Sequence, residues 1–201
     1  SYYINHKIST DFRELYTVFS GGDDLCIIGP WKPVLDFALQ MQMDFDRFVG
    51  HNPDVSISAG IVLESPHVPV RTIAQHAEEE LERAKGTEHK NSCAIFSTAV
   101  TWNQLAKLIE IGDLLLVFIK DALLTKGVVY RLLYYARSER AMRNGTGTER
   151  DALWRSKLYY DLARNGSKLP NQEKEKLLAL IEEHIIGMEI SAQYVLYSLR
   201  N

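Results

Sequence analysis

The sequence has few cysteines and no long apolar run. Its 201 residues include two cysteines, Cys26 and Cys93, and both lie in apolar, strand-like runs. Two cysteines alone cannot form a structural zinc site, so we expect buried thiols in a reducing compartment. No apolar run approaches the roughly 18 residues of a membrane span, and residues 1–6 lack a basic-then-apolar signal pattern. These absences predict a cytoplasmic protein with no membrane partner.

Charge is unevenly distributed, although the formal net charge is only −3. Residues 1–99 carry 8 Lys and Arg against 14 Asp and Glu, whereas residues 100–201 carry 15 against 12. The positive excess is concentrated in residues 126–168, with 10 basic and 4 acidic residues. An acidic first half suits cation binding. A basic second half suits an RNA backbone or an acidic partner surface, and mixed solvated helix faces are the alternative.

The most informative motif is Gly21-Gly22-Asp23-Asp24, which separates two short apolar runs. These runs, residues 16–19 and 25–28, have strand length and β-branched content, and Gly-Gly is a strong turn signal. The pattern therefore predicts a β-hairpin. Two adjacent carboxylates at its tip provide hard oxygen ligands of the kind that Mg²⁺ prefers. Glycine and aspartate are also common turn formers, so a solvated turn is the alternative.

Several residues near this motif are candidates for nucleotide contact. A phosphate can approach the backbone at Gly21 and Gly22 because no Cβ intervenes, and Ser20 precedes them directly. Lys85, at the end of a predicted helix, is a candidate phosphate ligand, although the helix dipole favours a cation there regardless of function. Lys90 is a second candidate of the same kind.

Hydrophobic periodicity predicts a mixed first half and a helical second half. In residues 1–99 we expect a helix at 2–8, a hairpin at 15–29, a helix at 33–49, a strand at 55–63, a helix at 72–85 that ends at Gly86, and a last strand at 92–96. In residues 100–201 we expect helices at 105–119, 128–143, 149–164 and 172–199, with Gly187 interrupting the last one. The predicted fold class is therefore α+β.

The hairpin and its surroundings resemble a known family. The segment that carries the resemblance is Val18-Phe19-Ser20-Gly21-Gly22-Asp23-Asp24-Leu25, followed by Ile28-Gly29-Pro30-Trp31. This segment resembles the second palm domain of the large subunit of type III CRISPR effector complexes. The type III-A (Csm) branch is the most similar. Further landmarks follow in the same order: Ser58-Ala59-Gly60-Ile61, Ala77-Glu78-Glu79, Ala84-Lys85-Gly86, Lys90-Asn91 and the helical segment 157–165.

The resemblance implies two domains. Residues 1–99 would be the C-terminal portion of a palm or GGDEF-like (ferredoxin-like) domain, an antiparallel sheet with helices that carries the hairpin. Residues 100–201 would be an all-α helical bundle that contacts other subunits. In this family a further metal-binding aspartate lies upstream of the hairpin, a helix earlier, so we expect the chain to begin inside that helix and to lack the central strand.

The resemblance also implies an activity. In this family the palm converts ATP into cyclic oligoadenylates for antiviral defence when the effector complex binds target RNA. Asp23 and Asp24 would then be the catalytic metal ligands for Mg²⁺ or Mn²⁺, and Ser20, Gly21, Gly22 and Lys85 would contact ATP. The implied partners are guide RNA, target RNA, the small subunit and other effector subunits, and the first palm domain of the large subunit.

Two other functions stay open at this stage. One is a scaffold without catalysis, whose basic helices engage RNA or neighbouring subunits through Arg131, Arg137, Arg140, Arg143 and Arg155. The other is a GGDEF-type diguanylate cyclase, against which Asp24 in place of glutamate and Leu25 in place of an aromatic both argue. Five tyrosines among the basic residues are suited to stacking on RNA bases, but we expect them to pack between helices: Tyr130, Tyr134, Tyr135, Tyr159 and Tyr160.

Overall fold

The structure, a computed structural model, describes residues 2–88 and 90–200. The chain divides into two compact units, Ser1–Ala94 and Ile95–Asn201. The predicted boundary between residues 99 and 100 lies a few residues beyond this division. The fold class is α+β, as predicted.

The first unit alternates helices and strands. Its elements are helix α1 (Tyr2–Thr10), strands β1 (Tyr16–Gly21) and β2 (Asp24–Ile28), helix α2 (Trp31–Phe48), strand β3 (Ala59–Ile61), helix α3 (Val70–Lys85) and strand β4 (Ser92–Ile95), whose last residue belongs to the second unit. Prolines occupy the N-cap positions of α2 and α3, and α3 ends at Gly86 as predicted.

The second unit is helical apart from one strand. Its elements are strand β5 (Thr98–Thr101) and helices α4 (Trp102–Lys120), α5 (Lys126–Arg143), α6 (Glu149–Ala152), α7 (Trp154–Asn165), α8 (Asn171–Glu183) and α9 (Met188–Ser198), with a 3₁₀ turn over Ile185–Gly187 before α9. Thr101 caps α4: its hydroxyl accepts a hydrogen bond from the Gln104 amide, and the Gln104 side chain accepts one from the Thr101 amide. This capping box fixes where the helix begins.

The strands form two separate sheets. Strands β1 and β2 pair in an antiparallel two-stranded sheet, and the other sheet has the order β3-β4-β5. Sequence analysis predicts one palm-like sheet, so the separation is a correction: in the part of the chain described, no hydrogen-bonded ladder joins β2 to β3.

Two further corrections concern strand length and number. The strand predicted at 55–63 is regular only over Ala59–Ile61, because a strand needs a hydrogen-bonded partner and the exposed residues 55 and 56 precede the paired segment. Residues 92–96 were expected to be the last strand, but β5 follows. The turn between β4 and β5 uses Phe96 and Ser97 at φ values of 53° and 57°, without glycine or asparagine.

The helices match the predictions more closely. Residues 149–164 form two helices rather than one, because the chain bends at Leu153 between α6 and α7. The expected interruption at Gly187 is confirmed. A Cβ at Gly187 would lie 2.5 Å from Leu108 Cδ1, so close packing against α4 favours glycine at this position.

A small hydrophobic core lies beneath the hairpin of the first unit. Its buried residues are Ile4 of α1, Phe37 of α2 and Leu15, which directly precedes β1. Leu25 and Ile27 of β2 pack against them. This contact anchors β2 to both helices. The direction in which the hairpin leaves the core is therefore set by apolar packing.

The core of the second unit is built around α9, which packs against α4 and α5. One charged group lies in this region. Glu189 is buried and is held by Arg137, at 2.8 Å, and by Arg140, at 2.9 Å. Arg140 also donates a hydrogen bond to the Thr98 hydroxyl. The two guanidinium groups offset the cost of burying the carboxylate.

The two cysteines are free thiols. Cys93 is buried as predicted, and its burial raises the pKa of the thiol to about 12. Cys26 is only half-buried, which corrects the expectation that it lies in the interior. Of the helices in residues 2–88 and 90–200, none has both the length and the apolar character of a membrane span.

We predict that Gly60→Ala destabilises the first unit. A Cβ at this position would lie 2.3 Å from the Leu81 backbone nitrogen and 2.4 Å from the Ala77 carbonyl oxygen, so β3 would have to move away from α3. Overpacking of this kind costs about 1–3 kcal/mol. Urea unfolding followed by far-UV circular dichroism measures the loss.

The matched control is Gly86→Ala, because Gly86 has ordinary right-handed backbone angles and a Cβ there would lie 3.3 Å from the Glu82 carbonyl oxygen. It should change the free energy of unfolding less than Gly60→Ala does. Equal effects of the two substitutions would contradict the packing argument.

Candidate nucleotide and metal site

The predicted hairpin is confirmed in register as well as in position. Gly21 pairs with Asp24 and Ser20 with Leu25, so Gly22 and Asp23 form the turn. Gly22 has φ +62°, a left-handed conformation that L-residues adopt at a cost. Among the residues that the structure describes, no heavy atom outside its neighbours lies within 4 Å of a Cβ built there, so Gly22 is required for its backbone conformation rather than for space.

Gly21 has a different role from Gly22. A Cβ on Gly21 would lie 3.0 Å from Cζ of the Phe19 ring. Glycine therefore lets this ring cover the backbone beside the turn. The ladder is irregular between Thr17 and Phe19, where an extra residue bends β1.

Asp23 and Asp24 are consecutive and exposed at this turn. Within residues 2–88 and 90–200, neither carboxylate accepts a hydrogen bond or forms an ion pair within 4 Å. Like charges on neighbouring side chains repel each other, and a bound dication relieves that repulsion. These carboxylates are thus available as hard oxygen ligands, the donor type that Mg²⁺ and Mn²⁺ accept.

Lys85 lies in the electrostatic neighbourhood of the hairpin. The pKa of its ammonium is raised, chiefly by a hydrogen bond to Glu82 and the charge of that carboxylate, with smaller contributions from Glu78 and Asp24. The Lys85–Glu82 distance is 3.1 Å. The last turn of α3 therefore lies within electrostatic range of the hairpin, although Lys85 and Asp24 form no ion pair within 4 Å among the described residues.

Glu82 is the residue that sequence analysis does not connect with the site. Its spacing of three from Lys85 on one helix is a signal that could have predicted the pair. The ion pair keeps the ammonium at the helix end. It also means that a phosphate has to compete with a carboxylate for Lys85.

The remaining candidates differ in their surroundings. Ser20 is half-buried in β1, one residue before the glycines, and is thus adjacent to the turn as predicted. Lys90 has a left-handed backbone, with φ 55°, and its carbonyl oxygen accepts a hydrogen bond from the Ser58 hydroxyl. The backbone of Lys90 thus ties two loops of the first unit together.

The candidate metal ligands at the hairpin are two carboxylates, Asp23 and Asp24. Among the residues that the structure describes, no group of three or more His, Cys, Asp and Glu side chains is arranged to hold a metal ion. Mg²⁺ usually keeps several waters and takes one or two carboxylates together with substrate phosphates. The donor set therefore fits Mg²⁺ or Mn²⁺ when a nucleotide or another protein segment supplies the remaining oxygens.

The first unit matches a known protein family. Residues 1–94 match the family described as Cas10/Cmr2, second palm domain, and they are the residues of the first unit. The chain is also similar to proteins described as "CRISPR system single-strand-specific deoxyribonuclease Cas10/Csm1 (subtype III-A)". The protein of Methanocaldococcus jannaschii is 36% identical over 100 residues, which cover 44% of this chain and 12% of that protein.

Two further relatives carry the same description. The protein of Streptococcus thermophilus is 33% identical over 100 residues, which cover 50% of this chain and 12% of that protein. The protein of Enterococcus italicus is 27% identical over 192 residues, 91% of this chain and 23% of that protein. The chain thus spans less than a quarter of the length of these relatives, and the similarity to the last of them extends into the helical unit.

We predict that Gly22→Ala loosens the hairpin while Gly22→Asn does so less. Alanine in the left-handed region costs about 1 kcal/mol, whereas asparagine tolerates this region. The substitution to alanine should raise the hydrogen-exchange rates of the β1 and β2 amides about five-fold, because local opening becomes easier. Mass spectrometry of peptides that cover residues 16–28 measures the change. Identical exchange in the two variants would contradict a conformational role for Gly22.

Proposed function

We propose that the hairpin is half of a nucleotidyltransferase site. Two findings support this proposal: residues 1–94 match the Cas10/Cmr2 second palm family, and the similarity to a Cas10/Csm1 relative continues into the helical unit. The proposed reaction is the synthesis of cyclic oligoadenylates from ATP by the large subunit of a type III-A CRISPR effector complex in antiviral defence. The observation that carries the proposal is the pair of exposed, unengaged carboxylates at Asp23 and Asp24, with the ammonium of Lys85 nearby.

In the proposed reaction, the 3′-hydroxyl of one ATP attacks the α-phosphorus of another. The new phosphodiester forms as the bond to the β-phosphate breaks, and pyrophosphate leaves. A divalent cation held by Asp23 and Asp24 would supply charge neutralisation and activation of the hydroxyl. Gly22 would allow the triphosphate close to the backbone, whereas the Phe19 ring already lies over the Cβ position of Gly21. Ser20 and Lys85 would orient the triphosphate.

This chain would provide only part of the site. Two carboxylates support a metal-assisted transfer only when further oxygen ligands are present, and a second nucleotide needs its own binding surface. We propose that the first palm domain of the large subunit and an additional upstream aspartate supply these groups. Guide RNA and target RNA would act through the assembled complex, in which the small subunit and other subunits are neighbours.

The scaffold alternative has less support from the side-chain contacts. Each of the five arginines that could serve it already has a carboxylate partner inside the helical unit. Arg131 pairs with Asp161, Arg137 and Arg140 pair with Glu189, Arg143 with Glu139, and Arg155 with Glu182. These guanidinium groups would have to break ion pairs to bind a phosphate backbone.

We predict that Asp23→Ala abolishes the conversion of ATP while the complex still assembles. Removing a metal ligand should lower the rate of product formation by about 100-fold or more, since weakening even the outer shell of a metal site costs 10- to 100-fold. The fold should survive because the Asp23 side chain is exposed and, among the described residues, forms no hydrogen bond or ion pair within 4 Å. The measurement is the yield of cyclic product from labelled ATP, with Mg²⁺ or Mn²⁺, by the target-bound effector complex.

The matched control is Asp54→Ala, which removes another exposed aspartate of the first unit. It should leave the rate unchanged. Undiminished product from Asp23→Ala would reject the assignment. A parallel assay with GTP tests the diguanylate cyclase alternative, which predicts cyclic product from GTP and none from ATP.

A further inference from the structure

The exposure of the tyrosines on α5 and α7 is unexpected. Sequence analysis predicts that they pack between helices, but only Tyr135 is buried. Tyr130 is 58% exposed, Tyr134 39% and Tyr160 62%. Exposing large aromatic rings is unfavourable in water, so a cluster of them indicates a surface that another molecule covers.

Three tyrosines and three cations form two adjacent rows. Lys126, Tyr130 and Tyr134 follow one another at intervals of four residues, which places them on one face of α5. On α7, residues 157, 160 and 164 have helical spacing and form the second row. We define the tyrosine strip as the side chains of these two rows: Lys126, Tyr130, Tyr134, Lys157, Tyr160 and Arg164.

Contacts between α5 and α7 bring the two rows together. Lys157 Nζ lies 3.3 Å from the Tyr134 hydroxyl and 5.3 Å from the centre of its ring. One turn further along, Arg131 Nε lies 2.6 Å from the Asp161 carboxylate. Arg164 approaches the Tyr160 hydroxyl at 3.5 Å. The contact between Tyr134 and Lys157 therefore joins the two rows, and rings lie next to cations along both of them.

The charge of this surface is compensated locally only in part: Lys157 interacts electrostatically with Asp151 but forms no ion pair with it within 4 Å among the described residues. Helix α5 carries five basic residues and one acid, and α7 carries three and one. Both acids are occupied: Glu139 pairs with Arg143, and Asp161 pairs with Arg131 and accepts a hydrogen bond from the Tyr135 hydroxyl. Within the described residues, the cations of α5 and α7 that have no carboxylate partner within 4 Å are those of the strip, Lys126, Lys157 and Arg164.

The apolar character of the strip is aromatic rather than aliphatic. The exposed large hydrophobic side chains on α5 and α7 are the tyrosines and Met142, and Met142 lies at the far end of α5, eight residues beyond Tyr134. A face that docks another protein usually has an apolar core. Lys157 also donates a hydrogen bond to the Arg150 carbonyl, so it is held beside the Tyr134 ring. Aromatic rings beside cations instead match the pattern by which proteins bind single-stranded nucleic acid, with bases stacked on rings and phosphates near cations.

We propose that the tyrosine strip binds single-stranded RNA. The rings of Tyr130, Tyr134 and Tyr160 stack on bases, and Lys126, Lys157 and Arg164 contact phosphates. The choice of RNA over DNA rests on the proposed function, in which the chain works in an RNA-guided complex. The binding surface itself does not depend on nucleotidyl transfer at the hairpin, so the two proposals can fail separately.

The test is fluorescence anisotropy of the full chain with a fluorescein-labelled 12-nucleotide oligouridine RNA. The variants Tyr130→Ala, Tyr134→Ala and Tyr160→Ala should each weaken binding about five-fold or more, because a stacked base loses its platform. Tyr130→Phe should bind as the unchanged chain does, since the ring remains. Lys157→Glu combined with Arg164→Glu should weaken binding and lower the dependence of affinity on salt.

Matched controls come from the same unit. Tyr159→Ala removes an equally exposed ring of α7 whose hydroxyl donates to Glu182 of α8, away from the strip. Lys107→Glu with Lys176→Glu makes the same change in net charge at exposed cations of α4 and α8. Both controls should retain RNA affinity, and circular dichroism should show that every variant is folded.

Several outcomes would overturn the proposal. One is the absence of RNA binding by the unchanged chain, and another is equal affinity of the strip variants and the controls. Tighter binding of the DNA 12-mer of matching sequence would reject RNA as the ligand. If the strip variants kept their RNA affinity but lost an acidic protein partner, the surface would be a protein interface instead.

Discussion

The candidate site depends on the left-handed backbone of Gly22. This conformation closes the turn in two residues and leaves Asp23 and Asp24 side by side in solvent. Two carboxylates at that spacing repel each other by about 1 kcal/mol in water and by more where water is excluded. Exposure keeps the repulsion tolerable without a counter-charge, and the same exposure leaves both groups free to bind a cation. A turn that buried these carboxylates would need permanent partners and would lose this capacity.

The packing beneath the hairpin gives this turn a fixed position. Leu25 and Ile27 are anchored to α1 and α2, so the free carboxylates stand on a strand that cannot easily shift. The end of α3, in the same unit, places Lys85 within electrostatic range of Asp24. Glu82 holds that lysine in place and also weakens its attraction for phosphate. The arrangement combines a rigid acidic tip with a cation that is already partly neutralised, which favours metal-assisted phosphate binding over binding by lysine alone.

Local patterns were sufficient to predict the hairpin and the helices, because Gly-Gly and helical periodicity act within a few residues. They were insufficient where contacts between residues far apart in the sequence determine the local structure. Strand β5 was missed because its turn places Phe96 and Ser97 at positive φ, and the stacking of Phe96 on Tyr197, far along the chain, favours that conformation. The motif predicts that Asp23 and Asp24 lie at the hairpin turn, but the electrostatic interaction of Lys85 with Asp24 depends on the tertiary fold. The exposure of Tyr130 was likewise not predictable, since spacing identifies a helix face and not what covers it.

Charge counts along a sequence show how many cations a segment has and not which of them are available. Residues 126–168 are strongly basic, yet most of their arginines are neutralised by carboxylates that come from the same segment or from α8 and α9. Glu189 alone engages Arg137 and Arg140, and it does so because a buried carboxylate is costly without partners. Among the described residues, the acids of the hairpin in one unit and the cations beside the tyrosines in the other are among the charges that form no ion pair within 4 Å. A ligand of opposite charge gains most at such positions, because binding there breaks no existing ion pair. This is the physical reason to look for function at Asp23 and Lys157 rather than at the more numerous arginines.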